Sequence, residues 1–338
     1  MRERVALAFS GGIDSSAAVE ILQNDGYDVV AVTLRLLDNT SVVESARARA
    51  AELGVEFDVV DMREEFQRLI IDNFTDEYRS GRTPAPCTRC NPHIKWSAME
   101  RYADGHGIKR FATGHYFAIT EHSNRLYVSR ARDPRKDQSY YLWGLSQSTL
   151  ARALTPMATR IKEEVKATSS LKRESMGICF LEGCHYSDFI EQQCGIQPFG
   201  EIIDQSGEVV GTHRGLAHYT IGQKRGEGIP ACRAVVGMDA TSNRIIVGEN
   251  SALFSRRLLM SDCNFVDLNE TLTAENITVM VRGLGRNPEG YARISPSQIE
   301  GNYIIDLDSP AWACAAGQPI ALYIGDRVIG GGYFERSL

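Results

Sequence analysis

One segment of the sequence combines glycines, serines and an aspartate in a spacing that could bind phosphate. Residues 8–16 read AFSGGIDSS and join a strand-like run to a segment whose apolar residues have helical spacing. Glycines let a backbone turn tightly and approach an anion, and the N–H groups of such a loop and of the following helix point at it. Ser15 and Ser16 add hydroxyl donors, whereas the lysine of a Walker A loop is missing. The segment predicts a phosphate-binding loop; the alternative is a glycine-rich turn that binds nothing.

A second segment, TPAPCTRCN at residues 83–91, places Cys87 and Cys90 after two prolines. The prolines stiffen the approach to a predicted helix, and Cys90 would lie near the start of that helix. A helix N-terminus and the charge of Arg89 lower the pKa of a thiol, so we expect Cys90 to be partly thiolate and a good nucleophile. The alternatives are inert thiols or a zinc half-site; His93 is near, but zinc needs four ligands and no second C-x-x-C exists. Cys179, taken alone, is more typical of a core cysteine.

The elements that must position these residues change character along the chain. The first third alternates strand-like and helix-like segments, which predicts an α/β fold with a doubly wound parallel sheet. After about residue 197, Gly, Thr, Val and Ile dominate and turn signals recur, which favours two small, mainly β domains, the last a β-barrel. We therefore predict a catalytic domain at residues 1–197, a central β-rich domain at 198–255 and a C-terminal barrel at 256–338.

Composition excludes several classes of protein. The chain has 338 residues, eight cysteines and a net charge of −6, and its apolar runs stay far below the roughly 20 residues of a membrane span. The N-terminus does not resemble a signal peptide, so we expect a cytoplasmic protein without a disulfide framework and without a membrane partner. Between Arg79 and Lys136 the local net charge is +8. This basic belt is either a solvated face or a footprint for a nucleic-acid backbone.

Seven motifs, in order along nearly the whole chain, carry a resemblance to a known family. They are SGGIDSS at 10–16, TPAPCTRCNPHIKW at 83–96, ATGHY at 112–116, KDQSYYLWGL at 136–145, ESMGICF at 174–180, GTHRGLAHYTIGQKRG at 211–226 and GQPIALYIGDRVIGGG at 317–332. The sequence resembles the bacterial tRNA-specific 2-thiouridylases, and its S-G-G-x-D-S loop resembles that of the ATP pyrophosphatases. The resemblance implies an adenine nucleotide alpha hydrolase-like catalytic domain.

The resemblance also implies functional residues. Those implied to bind ATP are Ala8, Phe9, Ser10, Gly11, Gly12, Ile13, Asp14, Ser15, Leu34 and Gly114. Those implied to contact tRNA are Ala85, Pro86, Cys87, His115, Lys136, Asp137, Gln138, Arg282 and Gln318. Cys179 is implied to carry a persulfide and Cys90 to act as the nucleophile that releases its sulfur.

The implied chemistry joins these residues. ATP, with Mg²⁺ that Asp14 could help to hold, adenylates O2 of the wobble uridine and releases pyrophosphate. The persulfide on Cys179 then attacks C2, AMP leaves, and Cys90 assists sulfur release, which ends in a Cys90–Cys179 disulfide. The implied partners are tRNA and a sulfur-relay protein or cysteine desulfurase that supplies the sulfur.

Many members of the family carry Asp where this chain has Cys87, and the additional thiol leaves a second mechanism open. A C-x-x-C pair plus Cys179 resembles the three-thiolate site of iron–sulfur-dependent tRNA thiolases, in which a [4Fe–4S] cluster keeps one iron open. Two further alternatives are another pyrophosphatase-loop enzyme, such as an amidating ligase or argininosuccinate synthetase, and a tRNA-binding paralogue without activity.

Overall fold

The computed structural model describes residues 2–169, 177–283 and 286–338. Positions 174–176 of the ESMGICF motif therefore lie outside the described residues, as do positions 284–285, which follow Arg282 closely in the sequence. The chain forms two compact units. The first unit contains residues up to Ile70, Cys87–Phe180 and Asp326–Ile329; the second contains Ile71–Pro86, Leu181–Gly325 and Gly330–Leu338. Both units are assembled from separate segments, and the division at residues 197 and 255 stays a prediction.

The helices are short, and two of them are interrupted by π-helical turns. The α-helices are α1 (Ile13–Asn24), α2 (Ser41–Glu52), α3 (Arg63–Phe66), α4 (Asp72–Arg79), α5 (Pro86–Cys90), α6 (Ser97–Gly105), α7 (Gln147–Arg152), α8 (Lys162–Thr168), α9 (Tyr186–Cys194) and α10 (Leu268–Thr273). The π-helical turns are Gln67–Ile71 and Asn91–Trp96, and the 3-10 turns are Ser139–Tyr141, Cys179–Leu181, Leu216–His218 and Asn250–Leu253. Within the described ranges, no helix combines the length and apolarity that crossing a membrane requires.

The strands fall into three groups along the chain. The first unit contains β1 (Arg4–Ala8), β2 (Asp28–Arg35), β3 (Glu56–Asp61), β4 (Arg110–Thr113), β5 (Ala118–His122), β6 (Arg125–Ser129) and β7 (Ala153–Leu154). Next come β8 (Gly200–Asp204), β9 (Val209–His213), β10 (Ala234–Asp239) and β11 (Arg244–Gly248). The last are β12 (Phe254–Phe265), β13 (Thr278–Met280), β14 (Ala292–Pro296), β15 (Tyr303–Trp312), β16 (Pro319–Ile324) and β17 (Arg327–Ser337).

The core of the first unit is a parallel five-stranded sheet in the order β3-β2-β1-β4-β7. The central strand β1 is buried on both faces, and Val5, Ala6 and Leu7 are all 0% exposed, as a sheet covered by helices on both sides requires. The chain moves outward from β1 through β2 to β3 and then returns to place β4 on the other side of β1. The strand order reverses between β1 and β4, and ligands of such sheets bind at the carboxyl ends of the strands there.

The second unit contains two β structures. Strands β10-β11-β8-β9 form one sheet. Strands β13-β16-β17-β12-β15-β14 form another, and the bridge between Ile277 and Ala292 joins its two ends into a closed barrel. The predicted fold class, a doubly wound parallel sheet followed by two small β structures of which the last is a barrel, is confirmed.

Candidate active site

The predicted phosphate loop lies at the carboxyl end of β1, where the strand order reverses. Gly11 has a φ of 71°, and a Cβ there would lie 2.9 Å from the backbone Cα of Ala46. Both the backbone conformation and the lack of space therefore require glycine at this position. Helix α1 begins at Ile13, and its N-cap Gly12 offers no side chain to the helix N-terminus. The free N–H groups at this end of a twelve-residue helix form a site for an anion.

Hydroxyl groups and a second glycine shape the same loop. The Ser10 and Ser15 hydroxyls are 3.2 Å apart, and Ser15 also donates to the Gly12 carbonyl at 3.2 Å. After β4, a Cβ on Gly114 would lie 3.1 Å from the backbone nitrogen of Ser15. The backbone that follows β4 thus approaches the loop closely only because residue 114 lacks a side chain. The structure brings these sequence-predicted residues together.

The remaining residues of the predicted ATP site contribute in different ways. Phe9 and Ile13 are 3% and 4% exposed and belong to the hydrophobic core, so only their backbone atoms can face a ligand. Ala8 and Leu34 are half-buried. Leu34 lies near the carboxyl end of β2, beside β1, which places an apolar side chain next to the loop.

A buried lysine that sequence reasoning missed completes the loop. The Lys162 side chain is 3% exposed, and its Nζ donates to Asp14 Oδ1 at 2.6 Å. The Tyr116 hydroxyl donates to the same oxygen at 2.9 Å. The Lys162 backbone N–H donates to buried Asp133 at 2.9 Å, which fixes the start of α8. A positive charge is therefore held beside the phosphate loop, and because Oδ1 of Asp14 already accepts from both donors, that atom is less suited to Mg²⁺.

The three cysteines singled out in the sequence lie within electrostatic reach of one another. Cys87 and Cys90 are three residues apart on α5 and therefore share a helix face. The pKa of Cys90 is raised to about 12, chiefly by burial and to a smaller extent by the neighbouring thiols of Cys179 and Cys87, although the charge of Lys95 opposes this rise. Burial and Cys87 likewise raise the pKa of Cys179 against the opposing charge of Lys95. Protein surrounds Cys179 on several sides, yet its side chain stays open to solvent, as does that of Cys87.

The expectation that Cys90 is partly thiolate at neutral pH is wrong for the resting protein. Its side chain is 5% exposed, and desolvation disfavours the charged thiolate more than the helix N-terminus favours it. Sequence spacing identified the helix correctly but gave no measure of how deeply Cys90, the fifth residue of α5, is buried. Cys90 therefore needs a nearby positive charge to become a nucleophile.

Lys95 supplies that charge, and a π-helical turn brings it to the cysteines. The turn Asn91–Trp96 separates α5 from α6, and its i→i+5 spacing rotates Lys95 toward the helix face of Cys90. The half-buried Lys95 ammonium acts on Cys90, on Cys179 and on His115, whose pKa burial and this charge lower to about 3. His115 is therefore neutral, and its Nδ1 lies 2.8 Å from the Thr113 hydroxyl.

We expect the substitution Lys95→Gln to make both thiols less reactive at a given pH. Removing the ammonium raises the pKa of Cys90 and Cys179, and each unit of increase lowers the thiolate fraction about tenfold below the pKa. The measurement is the pH dependence of alkylation of each cysteine, followed by peptide mass spectrometry. Lys95→Arg keeps the charge and should restore most of the reactivity; identical profiles for wild type and Lys95→Gln would contradict this role.

The residues predicted to contact tRNA in the first unit form a well-ordered loop. Asp137 accepts hydrogen bonds from Ala131 N–H and from the Ser139 hydroxyl, at 2.9 and 2.7 Å. Gln138 and Tyr116 exchange two hydrogen bonds of 2.9 Å each. Asp137 and Gln138 therefore order this loop, and Gln138 fixes the backbone that carries Tyr116. Lys136 is half-buried.

Those predicted in the second unit are also engaged in internal contacts. Gln318 donates through its amide to the Thr83 carbonyl at 2.5 Å, which anchors the segment that contains Ala85 and Pro86. The Arg282 guanidinium donates to the Ala313 carbonyl and lies 5.0 Å from the centre of the Trp312 ring. Gln318 and Arg282 thus contact other segments of the same unit, and their contact with RNA stays a prediction.

The donor groups do not form a metal centre in the part of the chain that the structure describes. Among those residues, no group of three or more His, Cys, Asp or Glu side chains is arranged to hold a metal ion. The predicted three-thiolate site for a [4Fe–4S] cluster does not fit this arrangement, and we derive no step through a cluster.

Comparisons with known proteins cover nearly the whole chain. Three family models match: a tRNA methyl transferase HUP domain at residues 3–183, a tRNA methyl transferase PRC-barrel domain at 187–249 and an aminomethyltransferase beta-barrel domain at 255–334. A tRNA-specific 2-thiouridylase MnmA of Clostridium acetobutylicum is 32% identical, over 99% of this chain and 100% of its own length. The tRNA-specific 2-thiouridylase MnmA 1 of Bacteroides fragilis is 36% identical, over 99% of this chain and 98% of its own.

A solved structure shows a much weaker similarity. The predicted subunit of tRNA methyltransferase from Methanocaldococcus jannaschii is 18% identical, over 49% of this chain and 74% of its own, with a TM-score of 0.34. That similarity is too low to support an argument. The full-length matches to the curated relatives are decisive: this chain belongs to the tRNA-specific 2-thiouridylase family.

Proposed function

We propose that this protein is an ATP-dependent tRNA-uridine 2-sulfurtransferase that thiolates the wobble uridine. The observation that carries the proposal is that one unit holds both a phosphate loop and a cluster of three thiols. The helical run that contains α5 and α6 leads into the start of β4, so Cys87 and Cys90 at its beginning lie toward the carboxyl edge of the sheet. The phosphate loop lies at that same edge.

The ATP half of the reaction follows from the loop. The uridine O2 attacks the α-phosphate of ATP, the bond between the α- and β-phosphates breaks, and pyrophosphate leaves. The N–H groups at the start of α1, the serine hydroxyls and the Lys162 ammonium stabilise the charge that develops on the leaving pyrophosphate. Mg²⁺ bound to the phosphates would add further positive charge there.

The sulfur half uses the thiols. A persulfide on Cys179 attacks C2, the C2–O2 bond breaks, and O2 leaves with AMP. The Cys90 thiolate then attacks the Cys179 sulfur, and the bond to the carried sulfur breaks with its electron pair staying on the sulfur at C2. The products are 2-thiouridine and a Cys90–Cys179 disulfide, and the Cys90 proton passes to solvent. Lys95 favours the anionic form of both cysteines and so opposes in part the effect of their burial.

The partners follow from this chemistry. The RNA substrate is a tRNA with a wobble uridine, and a sulfur-relay protein or cysteine desulfurase supplies the sulfane sulfur to Cys179, in the cytoplasm. Exposure of Cys179 supports delivery by another protein, because a carrier's persulfide must touch the accepting thiol. Ala85, Pro86, Cys87, His115 and the 136–138 loop are the proposed contacts to the RNA.

The experiment that tests the function uses purified protein, ATP, unmodified total tRNA and a persulfide donor. We expect 2-thiouridine in the tRNA nucleosides by mass spectrometry, with one AMP and one pyrophosphate released per sulfur transferred. Iron content of the anaerobically purified protein is measured in parallel. Turnover without iron supports the persulfide route; turnover that requires iron would favour the cluster mechanism, and AMP release without tRNA thiolation would contradict the proposed function.

A further inference from the structure

The thiol cluster contains one cysteine more than the proposed reaction uses. Cys90 and Cys179 form the disulfide at the end of each cycle, and Cys87 has no part in those steps. Yet the Cys87 thiol acts on Cys90, on Cys179 and on the Tyr141 hydroxyl, and raises the pKa of all three. It is also exposed to solvent, whereas Cys90 is buried.

We propose, resting on the proposed function, that Cys87 is a resolving thiol that exchanges the catalytic disulfide into the C-x-x-C pair. The Cys87 thiolate attacks the Cys90 sulfur, a Cys87–Cys90 bond forms, and the Cys90–Cys179 bond breaks with its electron pair on Cys179. The Cys87 proton passes to solvent, and the Cys179 thiolate takes one up. An external protein dithiol then reduces the Cys87–Cys90 disulfide and is itself oxidised.

The position of the pair on the helix favours the exchange. Residues three apart on a helix have Cβ atoms about 5–6 Å apart, and a disulfide needs about 3.5–4.5 Å. The pair occupies the first turn of the helical run, where the leading N–H groups have no helical partners and small adjustments cost little. Two thiols of one turn therefore meet more readily than thiols on separate segments.

Exposure explains what the exchange would achieve. A Cys90–Cys179 disulfide has one buried sulfur, and its other sulfur is the atom that must accept the next persulfide. A reductant that attacked Cys179 would occupy the position that the sulfur donor must reach next. Exchange moves the oxidised bond to exposed Cys87, so that reduction and sulfur loading take place on different cysteines.

The test is a single turnover under anaerobic conditions, with persulfide-loaded protein, tRNA and ATP. The reaction is quenched with acid, free thiols are alkylated, and the disulfide is assigned by peptide mass spectrometry relative to 2-thiouridine formed. We expect a Cys87–Cys90 disulfide in wild type and a Cys90–Cys179 disulfide in Cys87→Ser. The matched control Cys184→Ser removes another exposed cysteine and should give the wild-type disulfide.

Repeated turnover provides a second measurement. Because Cys87 is also a proposed contact to the RNA, the single-turnover rate of Cys87→Ser relative to wild type is the reference. With a protein dithiol as the reductant, its relative rate of repeated turnover should fall about tenfold below that reference, and excess small-molecule dithiol should remove this tenfold gap. Thiolated tRNA accompanied by a Cys90–Cys179 disulfide in wild type would overturn the exchange and leave the proposed function standing. No thiolated tRNA from wild type would overturn both.

Discussion

The substitution Cys179→Ser is expected to abolish thiolation of tRNA and to leave ATP-dependent adenylation intact. A serine hydroxyl cannot carry a sulfane sulfur, so the nucleophile of the second half-reaction is lost completely. The phosphate loop, Asp14 and Lys162 belong to other segments and do not depend on this thiol. We expect no detectable 2-thiouridine, with pyrophosphate release on the first turnover close to that of wild type.

The two half-reactions are measured separately on the same variant. Pyrophosphate release in the presence of tRNA reports adenylation, and nucleoside mass spectrometry reports sulfur transfer. Cys194→Ser is the matched control, because it removes an exposed cysteine from α9 and should change neither. Loss of both activities in Cys179→Ser, with Cys194→Ser unaffected, would contradict the assignment of adenylation to the phosphate loop and of sulfur transfer alone to Cys179.

The phosphate loop could be predicted from sequence because its chemistry is local. Gly11 and the serines lie within one turn of chain, and a strand followed by a helix is enough to place them. The close approach of Gly114 to Ser15 is different, since it depends on β1 and β4 being neighbours in the sheet. Alternating strands and helices predict that the sheet is parallel, but they do not fix which strands are adjacent.

Lys162 was missed because its partner is 148 residues away in sequence. A weak signal did exist: Lys162 and Val165 are one turn apart on α8 and both are buried, so the lysine occupies the apolar face of its helix. A charged residue there requires a buried partner. Sequence alone shows that such a partner must exist, whereas only the fold identifies it as Asp14.

The net charge of the basic belt, counted from the sequence, is larger than the net charge of the same region in the folded protein. Arg82 pairs with Glu77 and Glu335, both outside the window from Arg79 to Lys136. Arg101 pairs with Glu65 and Arg135 with Glu163, likewise from outside it. The local net charge of +8 is therefore partly neutralised by acidic residues that folding brings to it. Any RNA footprint on this region is smaller than the sequence count indicates.

Burial is the other quantity that sequence did not provide. The helix that follows the prolines was predicted, and an exposed thiol at its start would have a lowered pKa. The fold instead buries Cys90, and Lys95 opposes the resulting rise in pKa only in part. Lys95 lies in a π-helical turn that has no sequence signature. The residue types in the motif were sufficient to predict the chemistry, but not which group activates the thiol.

The substitution Lys162→Met is expected to lower ATP turnover by about 10²–10³-fold, the usual loss when one preorganised donor to a developing negative charge is removed. Methionine fills a similar volume in the buried site and removes only the ammonium. The site is water-poor, because the Lys162 side chain is 3% exposed, and a charge acts more strongly there than at the surface. The measurement is pyrophosphate release against ATP concentration.

Two features separate loss of the charge from a loss of folded protein. A partly unfolded sample lowers the maximal rate but leaves the KM for ATP unchanged, whereas loss of a phosphate contact should change both. Lys166→Met is the matched control, because Lys166 is an exposed lysine one turn further along α8.

A double variant tests whether Asp14 acts through Lys162. Asp14→Ala removes the carboxylate that positions the Lys162 ammonium, so it should weaken ATP use through that ammonium. The double variant Lys162→Met/Asp14→Ala should therefore lose little more ATP turnover than Lys162→Met alone. Additive losses in the double variant would show that Asp14 and Lys162 act independently of each other. An unchanged rate in Lys162→Met would show that the lysine serves only to neutralise Asp14.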